Sequence, residues 1–235
     1  DNFEEVSFGP ILYGAKKLGM HIHTRYEVSN NAGQDICDIV NNEGFDFLLV
    51  GSGISMSDSP DDIAATRYRT SFYNRYFKRF KAPESWFYPG ALLKDKTKMF
   101  IARSNCDVGV FINRNFVKAT NTLVVISSEE DLFLLDYTRT LLKATHGSVG
   151  IVAKMSTTTP GHDQILKELW DFVSSIPQTQ LLPDKDLTPG LFNSYNFMLI
   201  GYNTWNDVSE HRKEALQKMP STLILNKNKR SSSDN

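Results

Sequence analysis

The stretch Gly44-Phe45-Asp46-Phe47-Leu48-Leu49-Val50-Gly51-Ser52-Gly53 carries the decisive pattern, an apolar run broken only by Asp46 and closed by glycines. A short run without polar alternation predicts a strand buried on both faces, the mark of a central parallel strand. Helical spacing precedes it. Residues 31–42 place Ile36, Ile39 and Val40 on one side, and Gly44 ends the turn. Further upstream, residues 8–18 carry Ile11, Leu12, Ala15 and Leu18 at helical spacing, with Gly19 as a stop. Residues 20–28 then alternate Met20, Ile22, Thr24, Tyr26 and Val28 against His21, His23, Arg25 and Glu27, which predicts a strand with one buried face.

Downstream the same alternation of element types continues. Residues 98–103 read as a helix and 108–112 as a strand. The order then restarts with a strand over 122–126, a helix over 131–144, a strand over 148–155 and a helix over 162–173 whose Ile165, Leu166, Leu169, Trp170 and Val173 should face inward. A weak strand over 180–182, a strong one over 197–201, a helix over 208–218 and a last strand over 222–226 complete the list. Strands alternating with helices of this length specify parallel βαβ units with helices on both faces of the sheet. Phe45–Gly51 corresponds to Phe197–Gly201, and the strand after each corresponds as well, so the chain reads as a tandem duplication whose first copy lacks its opening strand–helix–strand.

The 235 residues suit two packed units, and 40% hydrophobic with 23% charged residues is the composition of a globular chain. A formal charge of −1 removes any bulk electrostatic case for nucleic acid. No apolar run approaches the roughly 20 residues of a spanning helix. The chain shows neither an initiator Met nor a signal-peptide pattern, and so reads as part of something longer. Cys37 and Cys106, the only cysteines, read as buried thiols of a reducing compartment, since two scattered cysteines make neither a zinc site nor a disulfide framework. His21 and His23 would share one strand face as a surface or interface pair; no metal site is expected.

Two runs carry a family resemblance. The run Asp35-Ile36-Cys37-Asp38-Ile39-Val40 followed by Gly44–Gly53 resembles the third helix and fourth strand of the universal stress protein fold. Ser104-Asn105-Cys106-Asp107-Val108-Gly109-Val110-Phe111-Ile112-Asn113-Arg114 is similar to the joint between two stress-protein-like halves in the cytosolic C-terminal region of monovalent cation/proton antiporters. These are the plant cation/proton exchangers and the fungal potassium/proton antiporters, in which a Ser-x-Cys-x-Val-Gly pattern with a later Arg closes the first half. The resemblance implies an α/β fold of two tandem universal-stress-protein-like units, each a doubly wound parallel sheet, the first incomplete at its N-terminus. Residues 1–117 would form the first unit with an insertion at 54–97, residues 118–227 the second, and 228–235 a disordered tail.

It further implies a regulatory and assembly role in potassium/proton antiport, at the cytosolic face of an intracellular membrane within a multi-pass protein. The partners would be the membrane transport domain of the same polypeptide and a second copy in a homodimer, with no nucleic acid. The alternative is a nucleotide-binding sensor of the stress-protein type. In such proteins a Gly-x-x-Gly loop after the fourth strand, with a later Gly-Ser/Thr, wraps phosphates, because free backbone N–H groups approach closely there. The first copy offers Gly51, Ser52, Gly53 and Ser55, one residue short of that spacing. The second offers Gly201, Asn203 and Thr204 with Tyr202 between them and no second glycine. Adenine nucleotide is therefore the one cofactor weighed. The run Ser127-Ser128-Glu129-Glu130-Asp131 reads as a serine-capped helix start whose acids would repel a phosphate.

The insertion contains residues 67–81, with six basic and no acidic side chains. At helical spacing Phe72, Tyr76 and Phe80 form an aromatic arc, with Arg75, Lys78 and Arg79 opposite. An aromatic face packed on the protein or a dimer partner is the leading reading. Contact with an anionic membrane leaflet comes second, and stacking of single-stranded nucleic acid last. No nucleophile elbow, His-Glu-x-x-His or Walker loop occurs, so no catalysis is expected.

Overall fold

In the computed structural model, which describes residues 3–51, 95–114, 116–155, 160–183, 187–211 and 218–228, the apolar runs become strands and the periodic segments helices. Helix α1 (Phe3–Lys17) ends before Gly19, and α2 (Ala32–Glu43) is bounded by specific chemistry at both ends. The Asn31 side chain accepts from Gln34 N at 3.3 Å, and Gly44 turns left-handed to return its N–H to the Val40 carbonyl. Strand β1 (Phe47–Gly51), helix α3 (Asp95–Arg103) and strand β2 (Asp107–Ile112) follow. Then come β3 (Asn121–Ile126), α4 (Leu134–Thr145), β4 (Ser148–Ala153), α5 (His162–Ser175) and β5 (Thr179–Pro183). The short α6 (Pro189–Phe192), β6 (Phe197–Gly201), α7 (Tyr202–His211) and β7 (Ser221–Asn226) complete the order.

The described strands form one seven-stranded sheet, in the order β1-β2-β7-β6-β3-β4-β5. Within β3 to β7 every pairing is parallel. The chain lays β3, β4 and β5 outward on one side, then crosses back to place β6 and β7 on the other. One face is covered by α4 and α5, whose Leu134, Leu142, Ile165, Leu169 and Phe172 meet Val124, Ile126, Ile151 and Leu199. On the other face Trp205 and Val208 of α7, with Leu187, Phe192 and Met219, cover Leu123, Val125, Met198, Ile200 and Ile224. Cys37 of α2 and Phe100 of α3 pack on Val108 of β2. Both cysteines are buried free thiols, and burial pushes each thiol's pKa up, which suppresses thiolate chemistry.

The two strand pairs β1/β2 and β6/β7 correspond in register. Phe47 faces Asp107 and Gly51 faces Phe111, as Phe197 faces Ser221 and Gly201 faces Leu225. They meet where β2 runs antiparallel to β7, and the central pair there is Val110 opposite Ile224, the equivalent residue of each strand. That is a pseudo-twofold relation within a single sheet.

Several expectations are corrected. Residues 20–28 form no strand, and Met20 and Val28 are 56% and 87% exposed. Two strands equivalent to β3 and β4 would have to lie between this segment and β1, and the described residues hold neither. Local polar contacts hold it instead: Arg25 bonds Glu27 at 2.7 Å and also pairs with Glu43, while Ser29 Oγ bonds Asp35. His21 and His23 therefore share no strand face. β1 lies at the sheet edge among the described residues, where a central strand was expected. Trp170 is 52% exposed; Phe172 takes the inward position on α5. The helix expected from residue 131 starts at Leu134, after a 3₁₀ turn over Glu129–Asp131. The helix expected over 208–218 begins at Tyr202. Residues 95–97 of the expected insertion belong to α3, while residues 52–94 and 229–235 lie outside the described residues.

Asn228, expected in a disordered tail, is anchored. Its N–H donates to Asp107 Oδ1 and its amide to the Ser104 carbonyl, each at 2.8 Å. Tyr137 of α4 donates to Asp107 Oδ2 at 2.9 Å. Asp107 thus ties the start of β2 to α4 and to the segment leaving β7, and Arg114 N donates to Ser221 Oγ at 2.8 Å from the other end of the joint. Gly109 sits opposite Leu49, where a Cβ would stand 2.5 Å from Phe47 Cζ and 3.2 Å from Leu223, so only glycine lets these side chains close over the joint. Burial, then the Asp107 hydrogen bond, push the Tyr137 phenol pKa well up. The folded pKa is raised, so this group's contribution to stability is whole below the unfolded tyrosine value of about 10 and falls away as pH rises beyond it. Tyr137→Phe should cost about 1 kcal/mol in urea unfolding at pH 7. Its stability deficit against the parent chain should narrow above about pH 10.

Candidate functional site

A doubly wound sheet offers its ligand crevice at the carboxyl ends of the strands, where the strand order reverses. Here that point lies between β3 and β6. β3 ends at Ile126 and delivers Ser127; β6 ends at Gly201, and α7 begins at Tyr202 with no intervening loop. After Ser127 the chain makes its 3₁₀ turn, Asp131 N donating to the Ser128 carbonyl at 3.1 Å, and this returns the Asp131 side chain into the crevice. The Asp131 residue is 2% exposed.

Three donors converge on Asp131 Oδ2: Ser127 N at 2.8 Å, Ser127 Oγ at 3.1 Å and Thr204 Oγ1 at 2.6 Å. The Ser127 and Thr204 hydroxyls also lie within hydrogen-bonding reach of each other, and whichever donates there gives up its bond to Asp131. Beside them Asn203 Nδ2 donates to Glu130 Oε2 at 2.8 Å. Gly201 closes the pocket from below, and a Cβ built on it would collide with Asp131 Oδ1. Farther out, Lys154, whose backbone N–H bonds the Ile126 carbonyl at 2.7 Å, holds its ammonium 4.0 Å from Asp207 of α7.

A backbone N–H and two hydroxyls aimed at one point would serve a phosphate oxygen, and this chain fills that point with its own carboxylate. A second anion brought to about 4 Å from a carboxylate is repelled by about 4 kcal/mol at an effective dielectric of about 20. A helix N-terminus returns at most about 2 kcal/mol. The repulsion exceeds that return, which disfavours a phosphate beside the Asp131 carboxylate. Of the residues weighed as phosphate ligands, Gly201, Asn203 and Thr204 are brought together, but toward the Glu129–Asp131 turn. Gly51 ends β1 exposed, and among the described residues a Cβ on it would meet nothing within 4 Å. Ser52, Gly53 and Ser55 lie outside the described residues, as do Phe72, Arg75, Tyr76, Lys78, Arg79 and Phe80.

Sequence reasoning read the acids at 129–131 as helix capping and missed that Asp131 points inward. Ser128 makes no side-chain cap. The legible signal was the pairing of a glycine directly ending one switch-point strand with an Asp a few residues beyond the other. A second concavity of about 610 Å³ lies between α4 and α5, lined by Glu129, Asp136, Glu168 and Asp171 with Arg139 stacked over Phe172 at 5.0 Å. Its carboxylates make it no better a host for an anion.

No family model matches this chain, and no curated protein matches it. Among solved structures it is similar to a universal stress protein from Archaeoglobus fulgidus DSM 4304, at 11% identity and a TM-score of 0.54, covering 96% of this chain and 77% of that one. A functionally unknown protein from Pseudomonas aeruginosa PAO1 aligns at 11% identity and a TM-score of 0.48, over 97% of this chain and 79% of the other. The first of these establishes the fold: a mostly parallel seven-stranded α/β sheet flanked by helices, of the universal stress protein type.

The two strand-end glycines are separable by experiment. Gly201→Ala must displace the Asp131 carboxylate and should cost about 2 kcal/mol in urea unfolding. Gly51→Ala, entering open space at the equivalent position of β1, should change stability by less than about 0.5 kcal/mol.

Proposed function

We propose that this chain is a regulatory and assembly module that acts through contacts and performs no catalysis, the cytosolic part of a monovalent cation (potassium)/proton antiporter at the cytosolic face of an intracellular membrane. The observation carrying the non-catalytic, nucleotide-independent half of this reading is the Asp131 carboxylate in the switch-point crevice, where it takes the donors a phosphate would need. The antiporter context rests on the likeness of the Ser104–Arg114 run to the joint between the two cytosolic halves of those transporters. Several residues of that run act at or beside the β2–β7 joint: Ser104 and Asp107 receive Asn228, Gly109 admits Phe47, and Arg114 meets Ser221.

In this reading the ion-carrying groups belong to the transport domain of the same polypeptide; no described helix is long and apolar enough to cross a membrane. A cytosolic module controls such a domain only by contacting its two conformations differently, so that the module's own state biases the shared equilibrium. The homodimer belongs to the same reading, because a two-protomer transporter brings two modules together.

Two measurements test it. In thermal shift, millimolar ATP, AMP or NADH should leave the melting temperature of the chain unchanged, and a saturable rise with any of them would turn the assignment to a nucleotide sensor. In proteoliposomes holding the intact antiporter, Asp107→Ala loosens the joint and should alter potassium/proton exchange or its pH midpoint by a factor of about five or more. Exchange identical to the parent's would remove the regulatory role.

A further inference from the structure

We draw no further inference here: the strongest candidate, the concavity between α4 and α5 lined by Glu129, Asp136, Glu168 and Asp171, is a cluster of acidic side chains, and nothing in the described residues shows what would occupy it.

Discussion

The antiparallel contact of β2 with β7 is the constraint on which the rest of the structure depends. Each strand is the last of its unit, and each alone would be an open edge with both faces apolar. Joined with Val110 opposite Ile224, they turn two short parallel ladders into one seven-stranded sheet and remove two edges at once. The side chains around the joint are chosen for that purpose. Gly109 gives up its Cβ so that Phe47, Leu49 and Leu223 can close over it, and Asp107 collects donors from α4 and from the chain leaving β7. The run that resembles the antiporter joint therefore works by packing and hydrogen bonding, and its one thiol, Cys106, is buried.

The same economy explains the switch point. The fold creates a place where an amide and two hydroxyls converge between β3 and β6, and such a place must be filled, because buried donors without acceptors are costly. A nucleotide-binding relative of this architecture could fill it from solution; this chain fills it covalently, with Asp131. Glycine at 201 is what admits the Asp131 carboxylate. A glycine after an apolar strand therefore shows that something approaches the backbone closely, and it takes the partner's identity to say whether that is a ligand or the protein itself. Filling the crevice internally also couples the end of β3 to the start of α7 through Thr204, which stiffens the unit as a scaffold.

The exposed apolar residues are distributed unevenly between the two ends of the sheet. In the second unit the switch-point strand is flanked on both sides and its residues are buried. In the first, α1, the segment after it and β1 all present apolar side chains to solvent, among them Ile11, Leu18, Met20, Val28 and Leu49.

Read alone, the chain determined the parallel α/β class and most of the order of its elements, because runs such as 45–51 and 197–201 are local: four or five consecutive apolar residues closed by glycine have few other uses. It misjudged residues 20–28, since alternation states only which face would be buried and not whether a neighbouring strand exists to bury it. It misplaced the start of α7 and the direction of Trp170 for a similar reason, as helical spacing tolerates a rotation of one residue that packing decides. Only the tertiary structure placed Asp131 under Gly201 and set β2 against β7, because both contacts join residues 70 or more positions apart, and no period in the sequence records which distant groups the folded sheet brings within hydrogen-bonding reach.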